Sequence, residues 1–120
     1  MADPEAAMAL GVNHVDDPYQ GAAVYAADGA VTRIIEKPPR GTSTTNWNNA
    51  GLYAFRPAIY DELHQLEPSP RGEYELTSAI ESLLNQRRRL IPYELHGEWR
   101  DVGRPEDLAV VETMVSPHLR

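Results

Sequence analysis

Acidic, basic and amide side chains gather at four places in this chain of 120 residues, each beside a turn or at the end of an element. Glu36-Lys37-Pro38 closes an apolar run. Neighbours on a strand point to opposite faces, so these two charges do not simply neutralise each other. The carboxylate can accept hydrogen bonds from sugar hydroxyls, and the lysine is a compact point charge suited to a phosphate. Two solvated charges ahead of a turn-forming proline are the plainer alternative. Trp47-Asn48-Asn49-Ala50-Gly51-Leu52-Tyr53 offers carboxamides that both donate and accept, and a glycine that admits close backbone approach of a ligand. Its alternative is a turn leading into a core strand. In Arg71-Gly72-Glu73-Tyr74-Glu75-Leu76-Thr77 the two acids fall in what the spacing predicts as the first turn of a helix, where the helix dipole alone accounts for them. Glu98-Trp99-Arg100-Asp101-Val102-Gly103-Arg104-Pro105 places Asp101 in a short connection before a helix. There it is either a turn or cap residue or one ligand of a hard cation such as Mg²⁺, which takes one or two carboxylates and completes its shell with water and substrate phosphates.

Other chemistries find little support. His14, His64, His96 and His118 show no metal-ligand spacing, and no serine stands in a nucleophile motif, which argues against hydrolases. The chain has no cysteine, so disulfides and thiolate metal sites are excluded. A net charge of −7, with Arg87-Arg88-Arg89 as the one basic run, argues against a nucleic-acid partner. That arginine run sits where a helix end is predicted and suits the helix dipole. No apolar stretch reaches the length of a membrane span, and the N-terminus lacks the positive region of a signal peptide, so a soluble cytoplasmic protein without a membrane partner is expected.

The elements that must position these residues are short, as ten prolines require. Residues 3–10, rich in alanine after a Pro-Glu start, read as a helix, and residues 11–15 as the strand that follows. Residues 22–26 and 31–37 read as a hairpin around Asp28-Gly29. Residues 38–48 form a polar loop of about ten residues, a length at which loops tend to be functional. A strand over 50–55 leads to a short helix over 57–66, and Leu76, Ile80, Leu83 and Leu84 mark the apolar face of a helix over 73–86. Residues 90–95 form a strand containing Pro92, hence an edge or bulged strand, and Pro105 opens a last helix over 105–115. Strands mixed with helices in this order predict a single layered α/β domain, a mixed sheet flanked by helices.

In order and spacing the motifs resemble the sugar-1-phosphate nucleotidyltransferases, above all glucose-1-phosphate thymidylyltransferases and uridylyltransferases, from about Asp16 to Glu112. The resemblance is carried by Asp17-Pro18-Tyr19-Gln20-Gly21 ahead of the Asp28-Gly29 hairpin, Glu36-Lys37-Pro38, Asn49-Ala50-Gly51-Leu52-Tyr53, the Arg71 to Thr77 stretch, and Trp99-Arg100-Asp101-Val102-Gly103. Each motif is moderately specific, and the five stand in register. The resemblance implies the C-terminal part of a Rossmann-like nucleotidyltransferase domain, with residues 1–120 as one partial domain. It also implies an activity that makes a nucleotide sugar and pyrophosphate from a nucleoside triphosphate and a sugar 1-phosphate. By the same resemblance Gly21 presents backbone to the sugar, Glu36 binds its hydroxyls, Lys37 holds its phosphate, Asn49 and Gly51 line its pocket, and Asp101 is one of two Mg²⁺ carboxylates.

Relatives carry a glycine-rich triphosphate loop, a base-recognition surface and a second metal-binding aspartate ahead of this region, and these are not found here. Arg104 stands where relatives often have a small residue. The isolated chain is therefore expected to be inactive, to work with a separately encoded nucleotide-binding half, and to form a homo-oligomer through uncovered sheet. The alternative is a non-catalytic sugar-phosphate-binding or regulatory module. Glu36, Lys37 and Asp101 are expected to converge on one cleft.

Overall fold

The computed structural model describes residues 3–119; residues 1, 2 and 120 of the expected unit lie outside it. The fold is a five-stranded mixed sheet with helices, in strand order β3-β2-β4-β1-β5. The strands are β1 (Ala6–His14), β2 (Ala22–Ala27), β3 (Ala30–Glu36), β4 (Trp47–Phe55) and β5 (Arg89–Glu94). The helices are α1 (Ile59–His64), α2 (Leu76–Asn85) and α3 (Pro105–Val115). β1 is the central member of its half of the sheet, antiparallel to β4 and parallel to β5.

The first segment is not a helix. Residues 6–14 are one nine-residue strand, and the alanine-rich run that suits a helix in isolation is instead buried between two neighbouring strands. Ala6, Ala7, Met8 and Leu10 are each at most 3% exposed. A strand covered in this way reads as a continuous apolar run, and helix propensity of a few tenths of a kcal/mol per residue, in order-of-magnitude terms, is easily overridden by such burial.

One face of the sheet carries the core. Met8, Leu10 and Val12 of β1, Val24 of β2 and Ile34 of β3 pack with Leu90 of β5 against Ile59 of α1 and Ala79, Ile80 and Leu83 of α2. The hairpin of β2 and β3 pairs with β4 only at Ala23 opposite Asn48, and it curls over until β3 lies beside β5. Glu62, buried on α1, accepts hydrogen bonds from Ser82 of α2 and from Gln86, the residue that caps it, and so fixes the two helices to each other. The opposite face is bare along β4 and β5: Leu52 is 57% and Tyr93 63% exposed. Gly11, between them on β1, packs tightly there, since a Cβ would lie 3.1 Å from Leu52 Cβ.

Helix boundaries differ from the sequence reading: α1 is Ile59–His64 where 57–66 is expected, and α2 is Leu76–Asn85 where 73–86 is expected. Glu73 and Glu75 therefore precede the first turn of α2, Glu75 as the N-cap residue, and both bind Arg71, at 3.1 and 2.9 Å. The arginine run lies past the end of α2. Arg87 is a left-handed cap residue at φ 58°, Arg88 N–H donates to Leu83 O, and Arg89 opens β5 and pairs with Asp3. That pairing holds the Asp3 carboxyl below the usual carboxylate range. β5 is an edge strand, as Pro92 predicts.

Candidate functional site

At the end of the sheet where β3 stops and β4 starts, three adjoining hollows of about 220, 280 and 670 Å³ form one cleft. Glu36, Lys37 and Arg71 line the first part with Asn49 and Gly51. Gly21, Asn49 and Gly51 carry the lining into the next part, where Asp17 and Asp101 also lie. Lys37 and Asp101 together line the largest part. All six residues singled out from the sequence (Gly21, Glu36, Lys37, Asn49, Gly51 and Asp101) thus face a continuous hollow, although they come from four separate segments.

The end of β3 is built with strain. Lys37 has φ 41°, the left-handed region that residues with a Cβ avoid, and it precedes a proline, which further restricts its backbone. Its N–H donates to Gly21 O at 2.7 Å, which locks the strand end to the turn after Pro18. Among the described residues the other two left-handed ones with side chains, Asp28 and Arg87, sit at a hairpin tip and a helix cap. Lys37 alone of the three faces the cleft. Glu36 is half-buried, and that burial, reinforced by Glu75, pushes its carboxyl above the ordinary glutamate range against the opposing pull of Thr77, Lys37 and Arg71.

The floor is a set of amides. Asn48, 4% exposed, donates from Nδ2 to Asn13 Oδ1 at 3.0 Å and to Asn49 O at 3.1 Å. Asn48 Oδ1 sits against Gly21, where a Cβ would be 2.3 Å from it. Gly21 is therefore required by the packing of Asn48, a constraint that sequence alone did not reveal. Asn49 bridges an irregularity in β4: its Oδ1 accepts from Gly51 N–H at 3.0 Å and its Nδ2 donates to Tyr53 Oη at 2.8 Å. Gly51, at φ 79°, supplies the left-handed residue of this bulge, opposite the register shift between Leu10 and Val12. The loop before β4 is shorter than the sequence suggests, since β4 already begins at Trp47, and it is pinned. Gly41 N–H donates to Asp17 Oδ2, and Asn46 Nδ2 donates to Val15 O and Asp16 O.

Asp101 lines the cleft from an irregular segment held by its neighbours. Trp99 Nε1 donates to Ala50 O at 3.0 Å, and Arg100 pairs with Asp107 at 2.8 Å. Asp17 Oδ1, beside the same hollow, is buried without a hydrogen-bond partner. Asp17 and Asp101 both line this hollow, and a hard cation such as Mg²⁺ takes one or two carboxylates when water and substrate phosphate complete its shell. Among the described residues no group of three or more such side chains could hold a metal by itself. Sequence reasoning missed Asn13 and Asp107; Asn13 lies in a strand and looks like a neutral spacer, and Asp107 looks like any acid in a first helical turn. Asn48 stands out in the sequence as one of the paired amides, but as a ligand to a polyol and not as the buried support it is. Arg71 was seen without a role, because its place on the cleft depends on a turn bending back to β3.

Residues 2–116 match the family model described as nucleotidyl transferase. A low-salt glycan biosynthesis nucleotidyltransferase of Haloferax volcanii is 40% identical over 107 residues, which are 88% of this chain and 29% of that protein. A glucose-1-phosphate thymidylyltransferase of Streptomyces antibioticus is 35% identical over 105 residues, 87% of this chain and 29% of that protein. The crystal structure of a UDP-glucose pyrophosphorylase complexed with UDP-glucose superposes with a TM-score of 0.79 at 19% identity, over 93% of this chain and 45% of that one, a likeness of fold. The chain thus spans less than a third of these two curated relatives and under half of the solved structure. Among the described residues no helix is long and apolar enough to cross a membrane.

Proposed function

This chain belongs to the nucleotidyl transferase family, and from that premise we propose that it is the sugar-phosphate-binding half of a nucleotidyltransferase domain, completed by a nucleotide-binding half. The observation that carries the reading is the convergence of Glu36, Lys37, Asn49, Gly51 and Asp101 on one cleft. The reaction is attack of a sugar-1-phosphate oxygen on the α-phosphorus of a nucleoside triphosphate, with the bond to the β-phosphate's bridging oxygen breaking and pyrophosphate leaving. Such a transfer asks the protein for alignment and charge neutralisation more than for a nucleophilic side chain.

The division of labour follows from the lining. Lys37, held by its left-handed backbone, presents an ammonium to the sugar phosphate, and Arg71 lies on the same hollow. Glu36 accepts from sugar hydroxyls, and Asn49, its amide already fixed at both ends, holds the wall against which the ring rests. Asp101 is the carboxylate that would hold Mg²⁺ together with substrate phosphate, and the ion, when bound, neutralises charge on the phosphates. The bare sheet face at Leu52 and Tyr93, and the outer edge of β4 beyond Asn48, which carries no strand among the described residues, suit coverage by the completing half or by a second copy of the chain.

Calorimetric titration with glucose 1-phosphate, glucose and inorganic phosphate tests the reading. Glucose 1-phosphate binds more tightly than either part, and Lys37→Ala weakens it by about 1.5 to 3 kcal/mol, the worth of a hydrogen bond to a charged group. Pyrophosphate release from dTTP or UTP appears only after a nucleotide-binding half is supplied. Equal affinity for glucose 1-phosphate in the parent and the Lys37 variant would overturn the assignment.

A further inference from the structure

We infer that Asp107 is a positioning residue for Asp101, acting through Arg100 and Arg104 and not through any ligand; the inference rests on the proposed place of Asp101 in the site. Between the end of β5 and the start of α3 the chain has no regular structure. Asp101 is exposed there, as are Val102 and Gly103 after it. The place of its carboxylate therefore depends on what fixes the segment on either side.

Two anchors do so. Upstream, the indole N–H of Trp99 donates to Ala50 O, in the β4 bulge that also holds Asn49 and Gly51. Downstream stands Asp107, 5% exposed, at the third position of α3. Its Oδ2 accepts from Arg104 N–H at 3.0 Å, which completes the capping of the helix. That bond ties one carboxylate oxygen to the N-cap residue. The other oxygen, Oδ1, turns outward from the helix to accept from Arg100 at 2.8 Å, a bond that does nothing for the cap and everything for the residue next to Asp101. Each oxygen of one buried carboxylate thus holds one side of the segment 100–104, and Asp101 hangs between them. Without Arg100 the largely buried Asp107 carboxylate would keep only its partners on the Arg104 side, a loss that favours the closed clamp.

The two duties can be separated. Asp107→Asn keeps an oxygen for Arg104 N–H but removes the charge that holds Arg100, and Arg100→Met removes the same tie from the other side. The first measurement is hydrogen exchange at the Trp99 indole N–H by NMR, a group that neither substitution touches and that needs no ligand. Exchange is faster in both variants while unfolding stays cooperative. The second is affinity for glucose 1-phosphate with and without Mg²⁺: the ratio of the two falls by about 10- to 100-fold in both variants, the usual cost of losing a group that orients a metal-binding residue. Asp107→Glu recovers part of the gain. Unchanged indole exchange in both variants, or an unchanged Mg²⁺-dependent gain, would reduce Asp107 to a helix cap and overturn the inference. A parent protein that gains nothing from Mg²⁺ counts instead against the role of Asp101, and the indole exchange then decides by itself whether Asp107 holds the segment.

Discussion

Beneath α2 the sheet is packed by Met8, Leu10, Ile80, Leu83 and Leu90, none more than 1% exposed, in regular strand and helix conformations with apolar neighbours on every side. At the cleft the strand ends of the same sheet carry a left-handed lysine, a half-buried glutamate, buried asparagines and a glycine with no space for a side chain. The first region gains stability from area removed from water, and almost any well-fitting apolar residue would serve it. The second gives up stability to hold particular atoms in particular places, which is where local rules are usually broken in functional proteins. Substitutions in the two regions should therefore differ in kind as well as in size.

The largest effect belongs to the core. Leu83→Ala removes a side chain that is 1% exposed between α2 and the sheet, and unfolding in denaturant should register a loss of about 2 to 5 kcal/mol. A loss well under 1 kcal/mol would erase the contrast between the regions. Next in size is Gly21→Ala. The new methyl would sit 2.3 Å from Asn48 Oδ1, and Asn48 cannot swing away without losing its bonds to Asn13 and Asn49. The cost should be about 1 to 3 kcal/mol, as for other overpacked sites, and it should come with weaker glucose 1-phosphate binding because Asn49 moves with Asn48. Leu83→Ala should leave the affinity of the remaining folded fraction alone.

How far each region could be read from the sequence follows from the same contrast. The core face was legible where apolar residues recur at helical spacing, as at Leu76, Ile80 and Leu83, or bracket a turn such as Asp28-Gly29. It was misread at residues 3–10, because a strand buried between neighbours lacks the alternation that separates strand from helix. In the cleft the charged and amide residues could be picked out by type and order. Their supports could not, because they depend on distant pairings: Gly21 against Asn48, Trp99 on Ala50, Arg100 on Asp107. Nothing near Gly21 in the chain announces that an amide from β4 will lie against it.

Glu36 sharpens the comparison through pH. Burial raises its carboxyl above the ordinary glutamate range, so the folded protein binds a proton more readily there than the unfolded chain does. The resulting penalty is fully present above the raised folded value and is gone once pH falls below the ordinary glutamate value, the window lying between the two. Glu36→Gln should accordingly raise the thermal midpoint at neutral pH, and its advantage should shrink as the medium is acidified through that window. The same variant should bind glucose 1-phosphate less well at neutral pH. A variant no more stable than the parent at neutral pH would mean that Glu36 is not held at a cost, and would move it from the second region to the ordinary surface.

The smallest effect, and the most pointed, concerns the backbone of Lys37. Its φ of 41° lies in the region that costs a residue with a Cβ about 1 to 2 kcal/mol, and the proline after it leaves few ways to relax. Glycine adopts this conformation freely but loses roughly 0.5 to 1 kcal/mol more chain entropy on folding. Lys37→Gly should therefore be more stable than Lys37→Ala by up to about 1 kcal/mol, since alanine keeps the strain and glycine removes it. Both variants lack the ammonium, so both should lose affinity for glucose 1-phosphate to the same degree. Paired denaturation and titration of the two proteins separate conformation from charge: equal loss of binding with unequal stability means that a strained backbone is maintained for the sake of where its side chain points. Should the alanine variant be the more stable, the left-handed turn at Lys37 is relaxed, and the hydrogen bond of its N–H to Gly21 O holds the strand end without strain.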